Sequence, residues 1–168
     1  TIAKRIKKSL PSTSPGTSPG TSPGTSPGTS PSPSYLELDE MWTFVGKKAH
    51  KVWRWLAVER ATRRIVAWTL GCRGEKTCTR LWAALPASFR ENTWYFTDEW
   101  AAYANLLPAS NHRPCPKGSG ETSIVEAINC ALRQRCGVLV RKTCSFSKCL
   151  GGIRLQCINW GGEELIKD

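Results

Sequence analysis

The sequence predicts an α/β domain in which a mixed β-sheet is flanked by helices. Three β-rich runs come first, and helical and β segments then alternate up to a long amphipathic helix. That order is typical of sheets that combine antiparallel and parallel strand pairs. The length of 168 residues suits one domain of ordinary size. The apolar runs are far too short to cross a bilayer, which predicts a cytoplasmic protein without a membrane partner.

The N-terminal part differs in composition from the rest of the chain. Residues 1–10 mix basic and apolar side chains and are predicted to be a basic remnant, either the end of a DNA-binding helix or a frayed tail. Residues 11–34 consist of Pro, Ser, Thr and Gly and contain four copies of Thr-Ser-Pro-Gly. Pro and Gly in every repeat exclude a helix or a ladder strand. We therefore predict a disordered linker over residues 11–34 and one globular domain over residues 35–168.

The first three predicted elements of the globular domain are strands. The run YLELDEMWTFV alternates, with Leu36 and Leu38 on one side. The runs KVWRWLAVE and IVAWTLG are also β-rich, and the short stretch between them favours an antiparallel hairpin. Trp53 and Trp55 alternate within the second run and are predicted to belong to the core.

Helices and strands alternate in the rest of the domain. EKTCTRLWAAL has a helical apolar stripe that Pro86 ends, and TWYFTD is predicted to be a buried strand. EWAAYANLL predicts a second helix, and the prolines of HRPCP allow at most a short edge strand. A long helix is predicted to begin near residues 119–122. Its apolar stripe consists of Val125, Ile128, Leu132, Cys136 and Leu139.

The charge and the cysteines restrict the partners of the protein. A net charge of +11 and a pI near 9.6 favour a polyanion, with nucleic acid as the leading candidate and a basic surface without a dedicated partner as the alternative. The chain has 8 cysteines but no C-x-x-C pair and only 2 histidines, so no zinc-finger spacing can be assembled. We predict unpaired thiols that are mostly buried.

Three acidic residues are candidates for a shared site. Asp39 lies inside the first predicted strand, opposite its apolar side, and Asp98 closes the strand TWYFTD. Glu126 lies on the long helix, so adjacent first and fourth strands would bring the three side chains together. The alternatives are a helix N-cap at Asp98 and a solvated side chain at Glu126. Glu37 and Glu40, beside Asp39, are assigned no role.

Clustered carboxylates repel one another unless cations lie between them. Mg²⁺ fits an oxygen-rich site of this kind, and Mn²⁺ can replace it. Two such ions can activate an attacking oxygen and stabilise a leaving oxygen in phosphodiester chemistry. The acidic residues therefore predict a metal-dependent nucleic-acid enzyme.

Basic residues follow the last of these acids. Arg133 is seven residues after Glu126, on the same helix face, where it could hold a phosphate, pair with Glu126 or remain solvated. A second basic group comprises Lys47, Lys48, Lys51 and Arg54. The residues predicted to contact DNA are Lys47, Lys48, Arg133, Arg135, Arg141, Lys142 and Lys148.

Several sequence blocks in the same order resemble the transposases of the insertion-sequence-one family. They are LDEMWTFVGKK, RATRRIVAW, LWAALP, FTDEWAAY, LRQRCGVLVRKT and SFSK, and they cover nearly all of the globular region. The resemblance implies a ribonuclease H-like core of the DDE type that cleaves and transfers DNA strands. It assigns catalysis and metal binding to Asp39, Asp98 and Glu126, and a catalytic basic role to Arg133. It also implies Mg²⁺ as cofactor, and element ends, target DNA and further copies of the chain as partners.

The chain also departs from the pattern of that family. SIVEAI, around Glu126, stands where the family more often has NHIERF. The cysteines of the family's N-terminal zinc-finger and helix-turn-helix segment do not precede the core here, where residues 1–10 could be the remnant of that segment. Two alternatives therefore stay open. One is a truncated or decayed transposase that binds DNA without catalysis, and the other is a different ribonuclease H-like nuclease.

Overall fold

A computed structural model describes residues 32–140, 142 and 146–161, with side chains up to residue 155. Five strands form one sheet in the order β3-β2-β1-β4-β5. Their bounds are Ser34–Phe44 (β1), Lys51–Glu59 (β2), Ile65–Gly71 (β3), Thr93–Thr97 (β4) and His112–Pro114 (β5). The helices are Glu75–Ala84 (α1), Ala101–Ala104 (α2), Ser123–Arg135 (α3) and Leu150–Gly161 (α4), with 3₁₀ turns at Ala87–Phe89 and Gly137–Leu139.

The sheet is mixed, as the sequence predicts. β2 pairs antiparallel with both β1 and β3, whereas β4 pairs parallel with β1 and with β5. The proline-containing β5 lies at the edge, where a missing N–H costs no ladder bond. The predicted α/β fold class, a ribonuclease H-like mixed sheet flanked by helices, is confirmed.

Side chains alternate between two apolar layers along β1. Leu36 and Leu38 belong to the layer that α1 and α2 cover, together with the fully buried Trp55. Met41 belongs to the opposite layer, which contains Val125 of α3. Because strand side chains alternate, the odd-numbered residues of β1 face α3. Asp39 therefore lies on the α3 side of the sheet, as its predicted position opposite Leu36 and Leu38 requires.

The helix boundaries differ from the sequence prediction. EWAAYANLL forms only the single turn of α2, because Trp100 is extended and the helix begins after it. α3 begins at Ser123 and ends at Arg135, because Cys136 leaves the helical conformation. Leu139 is buried, as its place in the apolar stripe predicts, but it lies in the following 3₁₀ turn.

The predictions for the N-terminal segment, the cysteines and membrane-spanning helices can be compared with the described residues. Residues 1–31, which include the predicted basic remnant and most of the predicted linker, lie outside the described residues. Six cysteines are described as free, and Cys72, Cys130 and Cys149 among them are exposed, so the prediction of mostly buried thiols is wrong for this set. Within the described residues, no helix combines the length and apolar character needed to cross a membrane.

One buried carboxylate fastens α3 to the sheet. Glu37 is 1% exposed, and its Oε2 accepts the backbone N–H groups of Ile124 and Val125, each at 2.9 Å. These are orphan donors of the first helical turn, where a negative charge is also favourable. Its other oxygen accepts from Arg60 Nε at 2.8 Å, and Arg60 continues to Glu121 just before α3. The assignment of no role to Glu37 is therefore wrong.

We expect Glu37→Gln to lower the free energy of unfolding by about 3 kcal/mol, measured by urea unfolding at neutral pH. The amide removes the charge that Arg60 and the α3 N-terminus share, and it leaves one of their donors without an acceptor. Glu59→Gln is the matched control, since Glu59 is half-buried on the same sheet and its carboxylate accepts from the nearby Thr62 hydroxyl. A loss no larger than that of the control would contradict the assignment.

Candidate active site

The parallel pairing of β1 and β4 brings two of the predicted site residues side by side. The last paired positions are Glu37 and Phe96, and the same register two residues further on aligns Asp39 with Asp98. Asp98 directly follows β4 and is half-exposed, whereas Asp39 is still inside β1 and partly buried. The condition on which the acidic side chains were expected to meet, that the first and fourth strands are neighbours, is therefore met.

The third predicted carboxylate, Glu126, approaches from α3. Its proximity appears in the electrostatics of Asp39, whose pKa is raised mainly by burial and further by the negative charges of Asp98 and Glu126. Hydrogen bonds to its carboxylate from Asn129 and from the backbone of Glu40 act in the opposite direction. The structure therefore brings Asp98 and Glu126 each within electrostatic range of Asp39.

Each of the three carboxylates is engaged by a protein neighbour. Asp39 Oδ2 accepts from the Asn129 amide at 2.7 Å, and Glu126 Oε1 accepts from the Thr122 hydroxyl at 3.0 Å. Asp98 Oδ1 accepts the backbone N–H of Trp100 at 3.1 Å, which is a local turn bond. The N-cap of α2 is Trp100, so the alternative of a helix N-cap at Asp98 is wrong. Within the described part of the chain, no three Asp, Glu, His or Cys side chains form a group that could hold a metal ion as they stand.

The chemistry of this donor set nevertheless suits a hard divalent cation. All three groups are carboxylates, and their mutual repulsion is relieved when positive charge lies between them. The buried Oδ1 of Asn129, beside Asp39, accepts no hydrogen bond within the described residues. An amide oxygen is a further ligand that such cations accept. Rotation of exposed carboxyl groups away from their present partners would be needed to enclose an ion.

Sequence reasoning missed Asn129, which is 6% exposed. It lies three residues after Glu126, so both side chains project from neighbouring positions of one helix face. A polar residue next to the apolar stripe of a packed helix needs a partner, and that is the signal by which it could have been found.

Sequence reasoning also missed the role of Glu40. Its Oε2 accepts from the fully buried Tyr103 hydroxyl at 2.8 Å, and its Oε1 accepts from Arg73 Nε at 2.7 Å. Burial raises the pKa of Glu40 to about 7, although both hydrogen bonds act to lower it. The assignment of no role to Glu40 is therefore wrong, because its carboxylate joins β1 to α2 and to the end of β3.

The predicted basic residues are distributed over two neighbouring segments. Lys47 and Lys48 are exposed in the β1–β2 loop, and backbone bonds from Gly46 and Val45 to Ser147 bring that loop beside the exposed Lys148. Arg54 of the predicted second basic group is 2% exposed in β2, so its predicted place on that basic surface is wrong. It lies in a central strand, where both faces of the sheet are covered.

The remaining predicted DNA contacts lie at and beyond the C-terminal end of α3. Arg133 and Arg135 belong to its last turn, and Arg133 is the less exposed of the two. Arg133 and the exposed Lys142 line an open cavity of about 590 Å³, together with Cys130, Gln134 and Val140. Arg141 lies outside the described residues.

The sheet order, the parallel β1–β4 pair and the acidic positions define a ribonuclease H-like domain. Residues 35–155 match the family model described as IS1 transposase, and the chain belongs to this family. The resemblance seen in the sequence blocks is thereby confirmed.

Similar proteins with assigned names support the same family assignment. The chain is 38% identical over 113 residues to the insertion element iso-IS1n protein InsB of Shigella dysenteriae, covering 67% of this chain and 82% of that protein. It is 37% identical over 112 residues to the insertion element IS1 protein InsB of Shigella flexneri, with the same coverage of 67% and 82%. For the insertion element IS1 4 protein InsB of Escherichia coli K12, the identity is 35% over 112 residues, covering 67% of this chain and 64% of that protein.

A double-mutant cycle between Asp39→Ala and Asn129→Ala should show a coupling free energy of about 1–2 kcal/mol, measured by urea unfolding without metal. The reason is the 2.7 Å hydrogen bond between a partly buried carboxylate and a buried amide. Thr122→Ala is the control partner for Asp39→Ala, since Thr122 donates to Glu126 instead. That second pair should be additive within about 0.5 kcal/mol, and equal coupling in both pairs would refute a specific Asp39–Asn129 contact.

Proposed function

We propose that this protein is the transposase of an insertion element, which cleaves and joins DNA phosphodiester bonds with the help of divalent cations. The observation that carries the proposal is the register that aligns Asp39 with Asp98, with Glu126 within electrostatic range. Membership of the IS1 transposase family supports the same reaction class.

Asp39, Asp98 and Glu126 would hold Mg²⁺, or Mn²⁺ in its place. Bound divalent ions supply activation of the attacking oxygen and stabilisation of the leaving oxygen. In the free protein, Asn129 keeps the Asp39 carboxylate in place through its amide N–H. Such neighbours of metal ligands commonly fix the ligand orientation.

The proposed reaction has two steps at phosphorus. Water first attacks the phosphodiester at the end of the element, so one P–O bond forms, the P–O3′ bond breaks, and the leaving oxygen takes up a proton. The freed 3′-OH then attacks a phosphodiester of the target DNA and loses its proton as the new P–O bond forms. The P–O3′ bond of the target breaks, and the leaving 3′-oxygen takes up a proton. Since the two element ends must be brought together, we propose a homo-oligomer on DNA.

Basic side chains along the same surface would bind the DNA backbone. Arg133 lies two helical turns after Glu126, which is a suitable distance for holding a phosphate near the reacting one. The exposed Lys47, Lys48 and Lys148 come together through the backbone bonds at Ser147 and would contact a further part of the duplex.

A DNA-binding protein without catalysis is the second candidate. The observation that favours it is the present engagement of each carboxylate by a neighbour, with no metal-holding group among the described side chains. The two candidates differ in whether divalent ions produce cleavage, and the experiment below separates them.

Asp39→Asn, Asp98→Asn and Glu126→Gln are each expected to abolish Mn²⁺-dependent nicking of supercoiled plasmid while leaving the fold intact. Each substitution removes a ligand charge and also relieves repulsion in the metal-free protein. Glu99→Gln is the matched control, because Glu99 is the exposed acid next to Asp98. The proposal is supported if the parent and the Glu99→Gln control nick the plasmid and the three site variants do not. A parent that binds DNA without nicking it favours the second candidate.

Arg133→Ala should weaken DNA binding and reduce the magnitude of the salt-dependence slope by about 1, with Mn²⁺ affinity unchanged. The slope is obtained from fluorescence anisotropy of a labelled duplex at several salt concentrations. Arg90→Ala serves as the control, because Arg90 donates to the carbonyls of Leu85 and Ala83 at the C-terminal end of α1. A weaker Mn²⁺ affinity in Arg133→Ala would contradict a role confined to phosphate.

A further inference from the structure

Arg73 reaches both strands that carry the paired aspartates. Its Nε donates to Glu40 Oε1 at 2.7 Å, and its Nη2 lies 3.8 Å from Asp98 Oδ2. Glu40 is the neighbour of Asp39 in β1, whereas Asp98 follows β4. One guanidinium therefore spans the two paired strands at the level of the candidate metal ligands.

Aromatic rings hold this guanidinium in place. Its central carbon lies 4.3 Å from the ring centroid of Trp100 and 4.8 Å from that of Trp53. Both rings pack against the apolar layer that α1 and α2 cover. A planar guanidinium gains from such ring contacts and loses side-chain freedom through them. The side chain of Arg73 remains 36% exposed, so it lies at the rim of the site.

The backbone before Arg73 is fixed as well. The indole Nε1 of the fully buried Trp55 donates to the carbonyl of Cys72 at 3.1 Å. At Gly71, a Cβ would collide with the side chains of Arg80 and Thr77, so the absence of a side chain lets α1 pack closely against the end of β3. The segment that carries Arg73 is therefore fixed by a hydrogen bond from β2 at Cys72 and by close packing of α1 at Gly71.

We propose that Arg73 is a positioning residue for the metal-binding carboxylates, and this inference rests on the proposed function. Asp98 follows its strand with a side chain that is 43% exposed, and its Oδ1 accepts the backbone N–H of Trp100. The guanidinium, held by Glu40 and the two rings, limits the orientations of that carboxylate beside Asp39. Arginine can direct Nε to Glu40 and Nη2 to Asp98 at once, which the single ammonium of lysine cannot reproduce in the same geometry.

This role differs from a contact with DNA, although Arg73 is a partly exposed cation. A phosphate-binding arginine would change DNA affinity and its salt dependence, with no effect on the binding of metal alone. A positioning arginine would change metal affinity in the absence of DNA and the turnover rate in its presence. The two roles are therefore separable by measuring Mn²⁺ binding without nucleic acid.

The test uses the full chain with Arg73→Gln and Arg73→Lys, and isothermal titration with Mn²⁺ as the probe. Both variants are expected to bind Mn²⁺ about 10- to 100-fold more weakly, as for other residues that orient metal ligands. The nicking rate at saturating DNA should fall while DNA affinity stays within about twofold. Arg90→Gln is the control, since Arg90 donates to the backbone carbonyls of Leu85 and Ala83.

Thermal unfolding in EDTA checks that both variants fold. If Arg73→Gln does not fold, Arg73→Lys supplies the comparison, because it keeps the charge and most of the aliphatic side chain. Mn²⁺ affinity equal to that of the parent in either folded variant would overturn the proposal, because the paired arginine geometry would then be unnecessary. A parent that binds no Mn²⁺ would instead overturn the proposed metal-dependent function, and the inference with it.

Discussion

The buried carboxylate of Glu37 is the contact on which the geometry of the rest depends. It lies in the central strand, receives two N–H groups from the first turn of α3 and pairs with Arg60. A charge taken out of water in this way is tolerable only because every bond it needs is supplied by the fold. α3 consequently has one orientation over the sheet, and that orientation sets where Glu126 and Asn129 lie.

The two aspartates are held from opposite layers of the sheet. Asp39 is bonded by Asn129, which belongs to α3 on one side. Asp98 faces Arg73, whose aromatic neighbours belong to the layer of α1 and α2 on the other side. Repulsion between the aspartates is thus balanced by separate partners, and neither layer alone determines their spacing. The order of the sheet matters because it makes β1 and β4 adjacent, with a register whose extension by two residues aligns Asp39 with Asp98.

The period-two and helical patterns along the chain were sufficient to predict a mixed α/β sheet, whereas the ribonuclease H-like core was implied by the family resemblance and the pairing of the first and fourth strands was a condition of the site. The period-two pattern of β1 also placed Asp39 on the α3 side, since alternation alone decides that face. Glu37, Glu40 and Arg54 could not be interpreted in this way. Each is a charged residue in a buried strand position. The structural role of such a side chain depends on partners far away in the sequence, such as Ile124 for Glu37 and Tyr103 for Glu40. The shortness of α2 depends on the extended backbone of Trp100, which no local composition signal reveals.

The parallel β1–β4 pair has a consequence for the order in which the molecule is completed. Asp39 is synthesised early, yet its strand acquires the neighbour carrying Asp98 only after β2, β3 and α1 have been made. The acceptor oxygens of Glu37 remain without their helical donors until α3 follows. Contacts so distant along the chain form late, because loop closure must precede them. A nascent chain on the ribosome therefore carries no assembled acidic site until the domain is complete.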